Sequence, residues 1–309
     1  MRVLLTGGTG FLGSNLMLRL LQEKKYEVVC LDRYETDFVR SLDVEFIRGD
    51  INEQSCIEQA FKNCDVVVHM ACSVLPKNSN QDPYFDVLSN VGGSIKLLDA
   101  AVKAGVKRFV FISSGGTVYG ISEFLPITED HPNNPECSYG ITKLAVEKYL
   151  NLYRDIYGLN TCSLRLANPY GEFQKVHASQ GVIPVFCYQA LRGKKVSVWG
   201  DGSVQRDFVY VNDVIDAIVK AVECSDVTGE INIGSGIGTS VNELLEHIET
   251  LIGRKITREY QEKRIFDVPV NILDNTKAKK LLNWEPVTSL KDGLQRTIEW
   301  IKANELEKK

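Results

Sequence analysis

A short apolar run, Arg2 to Thr6, breaks at Gly7-Gly8-Thr9-Gly10-Phe11-Leu12-Gly13, after which Ser14 to Leu21 reads as a helix. Glycine-rich turns are common, but this one stands at residue 7, immediately after the first strand and before a helix. The turn lets bare backbone N–H groups and the positive end of a helix converge on one point, which suits a pyrophosphate. The glycines fall at 7, 10 and 13, a GxxGxxG spacing rather than GxGxxG. This predicts an α/β fold that opens on a dinucleotide site.

Tyr26 to Leu31 is the expected second strand, and it delivers Asp32. A carboxylate there can accept from both ribose hydroxyls of NAD and would repel the extra phosphate of NADP. The neighbouring Arg33 could pair with that phosphate, so NAD is preferred while NADP stays open. Val44 to Ile47 reads as a third strand ending at Gly49-Asp50-Ile51, and Ser55 to Lys62 as a helix. Asp65 to Met70 is a fourth strand running into Ala71, so its exit should lie over the dinucleotide crevice. His69, with no carboxylate or nucleophile near it in sequence, reads as a packed structural residue.

Tyr84 to Gly105 is expected to be one helix with Asn90 inside it, followed by a fifth strand, Arg108 to Ser113. That strand ends in Ser113-Ser114-Gly115-Gly116-Thr117-Val118-Tyr119-Gly120, hydroxyls and glycines that suit a sugar alcohol or carbonyl held beside a flat cofactor. The run Tyr139 to Asp155 then reads as helix and puts Tyr139 and Lys143 one turn apart on one face. A nearby ammonium stabilises a phenolate, so Tyr139 becomes a candidate acid/base for a carbinol proton. On their own the two residues describe an ordinary amphipathic helix; the glycine turn, Asp32 and the hydroxyl-bearing strand end make them a hydride-transfer centre.

The second half is less regular. Thr161 to Ala167 reads as a strand and Asn168-Pro169-Tyr170-Gly171 as a turn. Helices are expected at Gln180 to Arg192, Asn212 to Cys224, Val241 to Ile252 and Leu290 to Leu306, the last with Trp300 on its buried face. Strands are expected at Val196 to Trp199, Asp207 to Val211 and Glu230 to Ile233. There is no second phosphate turn, but Arg206 and Arg264 could fork a substrate diphosphate.

A net charge of -4 with no long basic block gives no sign of nucleic-acid binding. The eight cysteines show no CxxC and no metal-like clustering with the four histidines, so no metal is expected and free thiols in a reducing cytosol are. No 18-residue apolar run exists to span a bilayer, and no signal-peptide layout follows Met1. The expectation is a cytoplasmic protein with small-molecule partners.

Taken together, Gly7/Gly10/Gly13, Asp32, Asp50-Ile51, the Ser113 to Gly120 segment, Tyr139/Lys143, Arg165 to Gly171, Trp199 to Gly202, Arg206-Asp207 and Arg264 with Asp267-Val268 resemble the extended short-chain dehydrogenase/reductase family, in its nucleotide-sugar 4-epimerase branch. The resemblance implies a Rossmann-type doubly wound parallel sheet with a smaller C-terminal mixed α/β lobe. It divides the chain into an NAD-binding part, 1–168, which also receives segments around 205–235, and a nucleotide-sugar lobe, mainly 169–309. It further implies that Gly7, Gly10, Phe11, Leu12 and Gly13 cradle the pyrophosphate and that Asp32 and Arg33 meet the adenosine ribose. Asp50 and Ile51 would contact adenine, Met70, Ala71 and Asn90 would line the cofactor, and Lys143 would bind the nicotinamide ribose while lowering the pKa of Tyr139.

On the substrate, a UDP- or dTDP-linked hexose, Tyr139 would take the 4-hydroxyl proton, and Asn168, Arg206 and Arg264 would hold the phosphates. A homodimer would form through the helices Tyr84 to Ala104 and Tyr139 to Asp155. The product would supply an extracellular polysaccharide or lipopolysaccharide.

Three departures qualify the resemblance. Gly115 stands where a serine hydroxyl commonly bonds the sugar 4-oxygen, leaving Thr117, then Ser114, to donate. Val74 stands where many of these epimerases place a lysine, a change that favours an exchangeable cofactor. Asn271 falls at the position that gates the sugar C2 substituent and is intermediate in size, which admits an N-acetyl group. Gly115-Gly116 supplies no glutamate, against dehydratase or decarboxylase chemistry. The alternatives are an NAD(P)H-dependent 4-ketoreductase of a nucleotide-linked 4-keto-6-deoxyhexose and, further off, a non-catalytic cofactor-binding protein.

Overall fold

The structure, a computed structural model, describes residues 1–74, 76–177, 181–263 and 268–306. Seven strands form one parallel sheet: β1 (Arg2–Thr6), β2 (Glu27–Asp32), β3 (Glu45–Arg48), β4 (Val66–His69), β5 (Arg108–Ser114), β6 (Thr161–Leu166) and, contributed by the second half, a strand at Gly229–Ile233. Their spatial order is the last of these, then β6, β5, β4, β1, β2 and β3. The order reverses between β1 and β4, so their C-terminal ends part and leave a crevice, the place where open α/β sheets bind ligands. This is the Rossmann-type sheet that the resemblance implies.

Both faces of the sheet are covered, which is why its strands read as continuous apolar runs rather than alternating ones. Val3, Leu5, Val28 and Cys30 enter one core layer. Leu4, Val29 and Leu31 enter the other, with Ile57, Leu97, Leu98 and Leu150. All eight cysteines are free. Burial pushes the Cys30 and Cys187 thiols up to about 12, which makes them inert.

His69, at the end of β4, is buried with Nδ1 2.7 Å from the Thr6 hydroxyl and Nε2 2.9 Å from that of Ser94. Burial, then the charge of Lys143, pulls its pKa from 6.5 to about 3. The folded ring therefore stays neutral where the unfolded one takes a proton. Stability from this group is complete above pH 6.5 and falls by about 1.4 kcal/mol per unit as pH drops from there toward 3. Between pH 7 and pH 5, wild type should lose about 2 kcal/mol more in urea titrations than His69→Gln. Equal losses would contradict this account of His69.

A smaller mixed sheet lies beside the first. Its centre is β9 (Gln205–Tyr210), flanked by β7 (Asn168–Tyr170), a short antiparallel strand at Gly238–Ser240 and a two-residue strand at Val270–Asn271. A separate pair joins β8 (Val196–Trp199) to Arg258–Gln261. Three expectations change here. Asn168 to Tyr170 is a strand rather than a turn, because Pro169 is tolerated at an edge and the Asn168 amide donates to the Asp207 carbonyl at 3.2 Å. The helix expected at Tyr84 to Gly105 is α-helical at Pro83–Asp86, π-helical at Val87–Gly92 and α-helical again at Gly93–Ala104. Trp300 is half-buried against Phe173, with ring centroids 5.7 Å apart, while Leu294, Ile298 and Ile301 form the buried stripe of Leu290–Asn304.

Candidate active site

The crevice at the strand ends encloses about 1090 Å³, room for a cofactor and a second ligand end to end. Gly7, Gly10, Phe11, Leu12 and Gly13 line its floor. The helix Phe11–Gln22 begins there with Gly10 as its N-cap and no side-chain cap, so its first-turn N–H groups have no intrahelical acceptor. A Cβ on Gly7, at φ +72°, would lie 2.8 Å from the Ala71 backbone, and one on Gly13 would meet the Gly8 carbonyl at 2.4 Å. The turn is thus closed to side chains, which leaves its bare backbone N–H groups for an anionic group.

At one end, Asp32, Arg33, Asp50 and Ile51 line the wall. Asp32 Oδ2 accepts from the Thr9 amide at 3.0 Å and its hydroxyl at 2.7 Å, which fixes the carboxylate toward the crevice. Thr9 was not singled out from sequence; a hydroxyl inside the glycine turn was the available signal. Met70, Ala71, Cys72 and Ser73 line the β4 exit. Asn90 does not line the crevice: its Oδ1 accepts from the Ser73 amide at 2.9 Å, and its Nδ2 donates to Asp86 at 2.6 Å. It shapes the wall from behind.

The helix Ser138–Tyr157 brings Tyr139 to the crevice and buries Lys143 beneath it, with Nζ 5.5 Å from the Tyr139 ring centre. Nζ donates to the Ile112 carbonyl at 2.8 Å. The expected depression of the Tyr139 pKa is overturned in this state. Burial first, then Cys72, Cys137 and Asp86, pushes it well above 10, and burial lowers that of Lys143. Desolvation outweighs the attraction of phenolate and ammonium.

Ser114 and Thr117 also line the crevice, and the Thr117 Oγ1 is buried with no hydrogen-bond partner among the described residues. An orphaned donor beside Tyr139 matches a substrate oxygen. A Cβ on Gly115 would sit 2.6 Å from Leu273, so that position faces the Val270–Leu273 segment and not the ligand. The hydroxyl missing at Gly115 therefore leaves no gap in the crevice wall. Asn271 does not gate the crevice either. It is fully buried, and its amide donates to the Gly115 carbonyl at 3.0 Å from behind the loop.

The far wall comes from the second half. Asn168 and Arg206 line it, and the Arg206 guanidinium donates to the Val268 carbonyl at 2.8 Å. Phe186, Gln189 and Phe208 line it as well; the two phenylalanines carried no sequence signal beyond apolar periodicity, and Gln189 carried none. Arg264 and Asp267 lie outside the described residues. No group of three or more His, Cys, Asp or Glu that could hold a metal occurs among the described residues, and no described helix is long and apolar enough to cross a membrane.

The geometry fits a dinucleotide along the sheet edge, and known proteins of this shape agree. The chain is 37% identical to a UDP-glucose 4-epimerase of Mycolicibacterium smegmatis over 98% of its own length and 99% of the relative's. It superimposes on the UDP-glucose 4-epimerase of Thermotoga maritima solved with UDP-glucose at a TM-score of 0.93, with 37% identity over 98% of this chain and 99% of that one. The Thermus thermophilus UDP-glucose 4-epimerase in complex with NAD gives a TM-score of 0.92 with 32% identity, covering 98% and 100%. Residues 3–234 match the pattern of one family over most of the chain. The protein, with its NAD-binding Rossmann fold, belongs to the NAD dependent epimerase/dehydratase family.

Proposed function

We propose that the chain inverts C4 of a nucleotide-diphosphate hexose of the UDP-glucose/UDP-galactose type and keeps its NAD bound throughout. One observation carries this reading: Tyr139 and the Thr117 hydroxyl, which has no partner among the described residues, line the same crevice as a glycine turn that fits a dinucleotide. NAD, when bound, supplies a positively charged hydride acceptor that later gives the hydride back. The Tyr139 oxygen takes the 4-hydroxyl proton and returns it after the 4-keto sugar has turned over in the crevice. Thr117 and Ser114 hold the 4-oxygen. Lys143 keeps positive charge under the phenol, and Asn168 and Arg206 hold the diphosphate. The loop Gly115-Gly116 offers no carboxylate to work at C5, which leaves C4 chemistry alone.

The same reading includes a cytosolic homodimer. Tyr84, Phe85 and Leu88 on one helical segment and Ile141, Leu152 and Ile156 on the Tyr139 helix are exposed apolar residues suited to such a contact. The test is an assay of purified protein with UDP-galactose and no added cofactor. Formation of UDP-glucose supports the reading. Dependence on stoichiometric NAD(P)H and a 4-keto sugar would replace it with the ketoreductase.

A further inference from the structure

Asp86 is fully buried yet belongs to no ion pair among the described residues. A buried carboxylate is costly unless opposite charge and hydrogen bonds offset it; here the charge of Lys143 acts on it, and its hydrogen bonds come from two separate elements. Its Oδ2 accepts from the Ser138 hydroxyl at 2.7 Å. Its Oδ1 accepts from the Asn90 amide at 2.6 Å, with the Thr142 hydroxyl 3.4 Å away. Asn90 in turn holds the Ser73 amide at 2.9 Å. A continuous chain of bonds thus runs from Ser138, the residue before Tyr139, through Asp86 and Asn90 to Ser73, on the crevice wall beyond β4.

The start of the Tyr139 helix depends on outside groups. Its N-cap, Cys137, makes no side-chain cap bond, and the Ser138 amide donates to Asn80 Oδ1 at 2.8 Å. The π-helix begins directly after Asp86, and the Ser89 and Ser94 hydroxyls donate to the Phe85 and Asn90 carbonyls around it, at 2.7 and 2.5 Å. Such wide turns recur at functional sites. This one sets Asp86 and Asn90, four residues apart, on the face that meets the Tyr139 helix.

We propose that Asp86 is a positioning residue that clamps the first turn of the Tyr139 helix to the Ser73 wall, fixing the phenol relative to the cofactor crevice. This rests on Tyr139 being the proton-transfer residue. A small displacement of a reacting group lowers turnover far more than it lowers affinity.

The experiment compares Asp86→Ala, Asp86→Asn and Ser138→Ala in the NAD-saturated protein, by steady-state kinetics and hydrogen–deuterium exchange. Asp86→Ala should lower kcat by about 10- to 100-fold with KM changed only a few-fold. Exchange should accelerate at residues 138–142 and 73 while the helix Val211–Glu223 keeps its protection. Asp86→Asn can still accept from Asn90 and donate to the Ser138 oxygen, so it should recover most of kcat. Wild-type kcat in Asp86→Ala, an Asn variant as slow as the Ala variant, or faster exchange that includes Val211–Glu223 would each overturn the proposal. If Asp86→Ala does not fold, Ser138→Ala decides: a lowered kcat with local exchange supports the clamp, and an unchanged kcat refutes it. An inactive wild type would refute the functional reading, whereas the exchange data would still judge the clamp.

Discussion

Tyr139→Phe should lower kcat by roughly 10³-fold and leave NAD and nucleotide-sugar affinities within a few-fold of wild type. The change removes one oxygen and keeps the ring that lines the crevice over Lys143. Lys143 stays tied to the Ile112 carbonyl, and Thr117 and Ser114 stay where they are. Binding therefore survives while proton transfer does not. Single-turnover kinetics beside titration calorimetry would separate the two. Turnover within tenfold of wild type would move the proton to another group, and the Cys72 and Cys137 thiols, which line the same crevice, would be next to examine.

Glu147→Ala should cost about 3–5 kcal/mol of stability, the penalty for stranding a buried charge. Glu147 lies one turn beyond Lys143 on the same helix, and Arg165 lies on β6; their side chains are 0% and 2% exposed. The pair is bidentate, at 2.6 and 3.0 Å, and the Ser113 hydroxyl donates to the same carboxylate at 2.6 Å. Arg165 also lies against the Tyr119 ring, 4.8 Å from its centre, and one of its terminal nitrogens has no hydrogen-bond partner among the described residues. With Glu147 gone, the guanidinium would lose its bidentate carboxylate and keep the charge of Glu230, which acts on it without an ion pair among the described residues. Replacing both residues, as in Glu147→Leu with Arg165→Met, should recover most of the loss. Urea titrations of the single and double variants test this, and a single-variant loss below about 1 kcal/mol would mean that water or a rearranged neighbour solvates Arg165.

The sequence carried the site where local chemistry is specific. A GxxGxxG turn after an apolar run, an acid ending the next strand, and a Tyr and Lys one turn apart point to one arrangement when read together, and the glycine turn, Asp32 and Tyr139 line one crevice at the sheet's switch point. The rest depends on pairings distant in sequence. Asn90 and Asn271 lie near the site in the chain pattern, but Asn90 bonds Ser73 and Asp86 and the Asn271 Nδ2 bonds Gly115, contacts that only the folded chain creates. Gly115 looked like a missing hydroxyl until Leu273 filled the space beside it. The strand Asn168–Tyr170 was hidden because its partner, Gln205–Tyr210, lies in the other half and because Pro169 reads as a turn. The π-helical segment has no distinct periodicity within so short a run. The upward shift of Tyr139 is likewise tertiary: helical spacing brings the ammonium close, but the depth of burial decides the sign.

The central claim is that one hydride leaves and returns to the same sugar carbon while Tyr139 handles the proton. Purified protein should therefore be given UDP-galactose deuterated at C4, without added cofactor, and the product examined by NMR for label at that carbon. The account predicts UDP-glucose that keeps its deuterium at C4, with none lost to water or to free NADH. Product without the label, or label found in released cofactor, would contradict it.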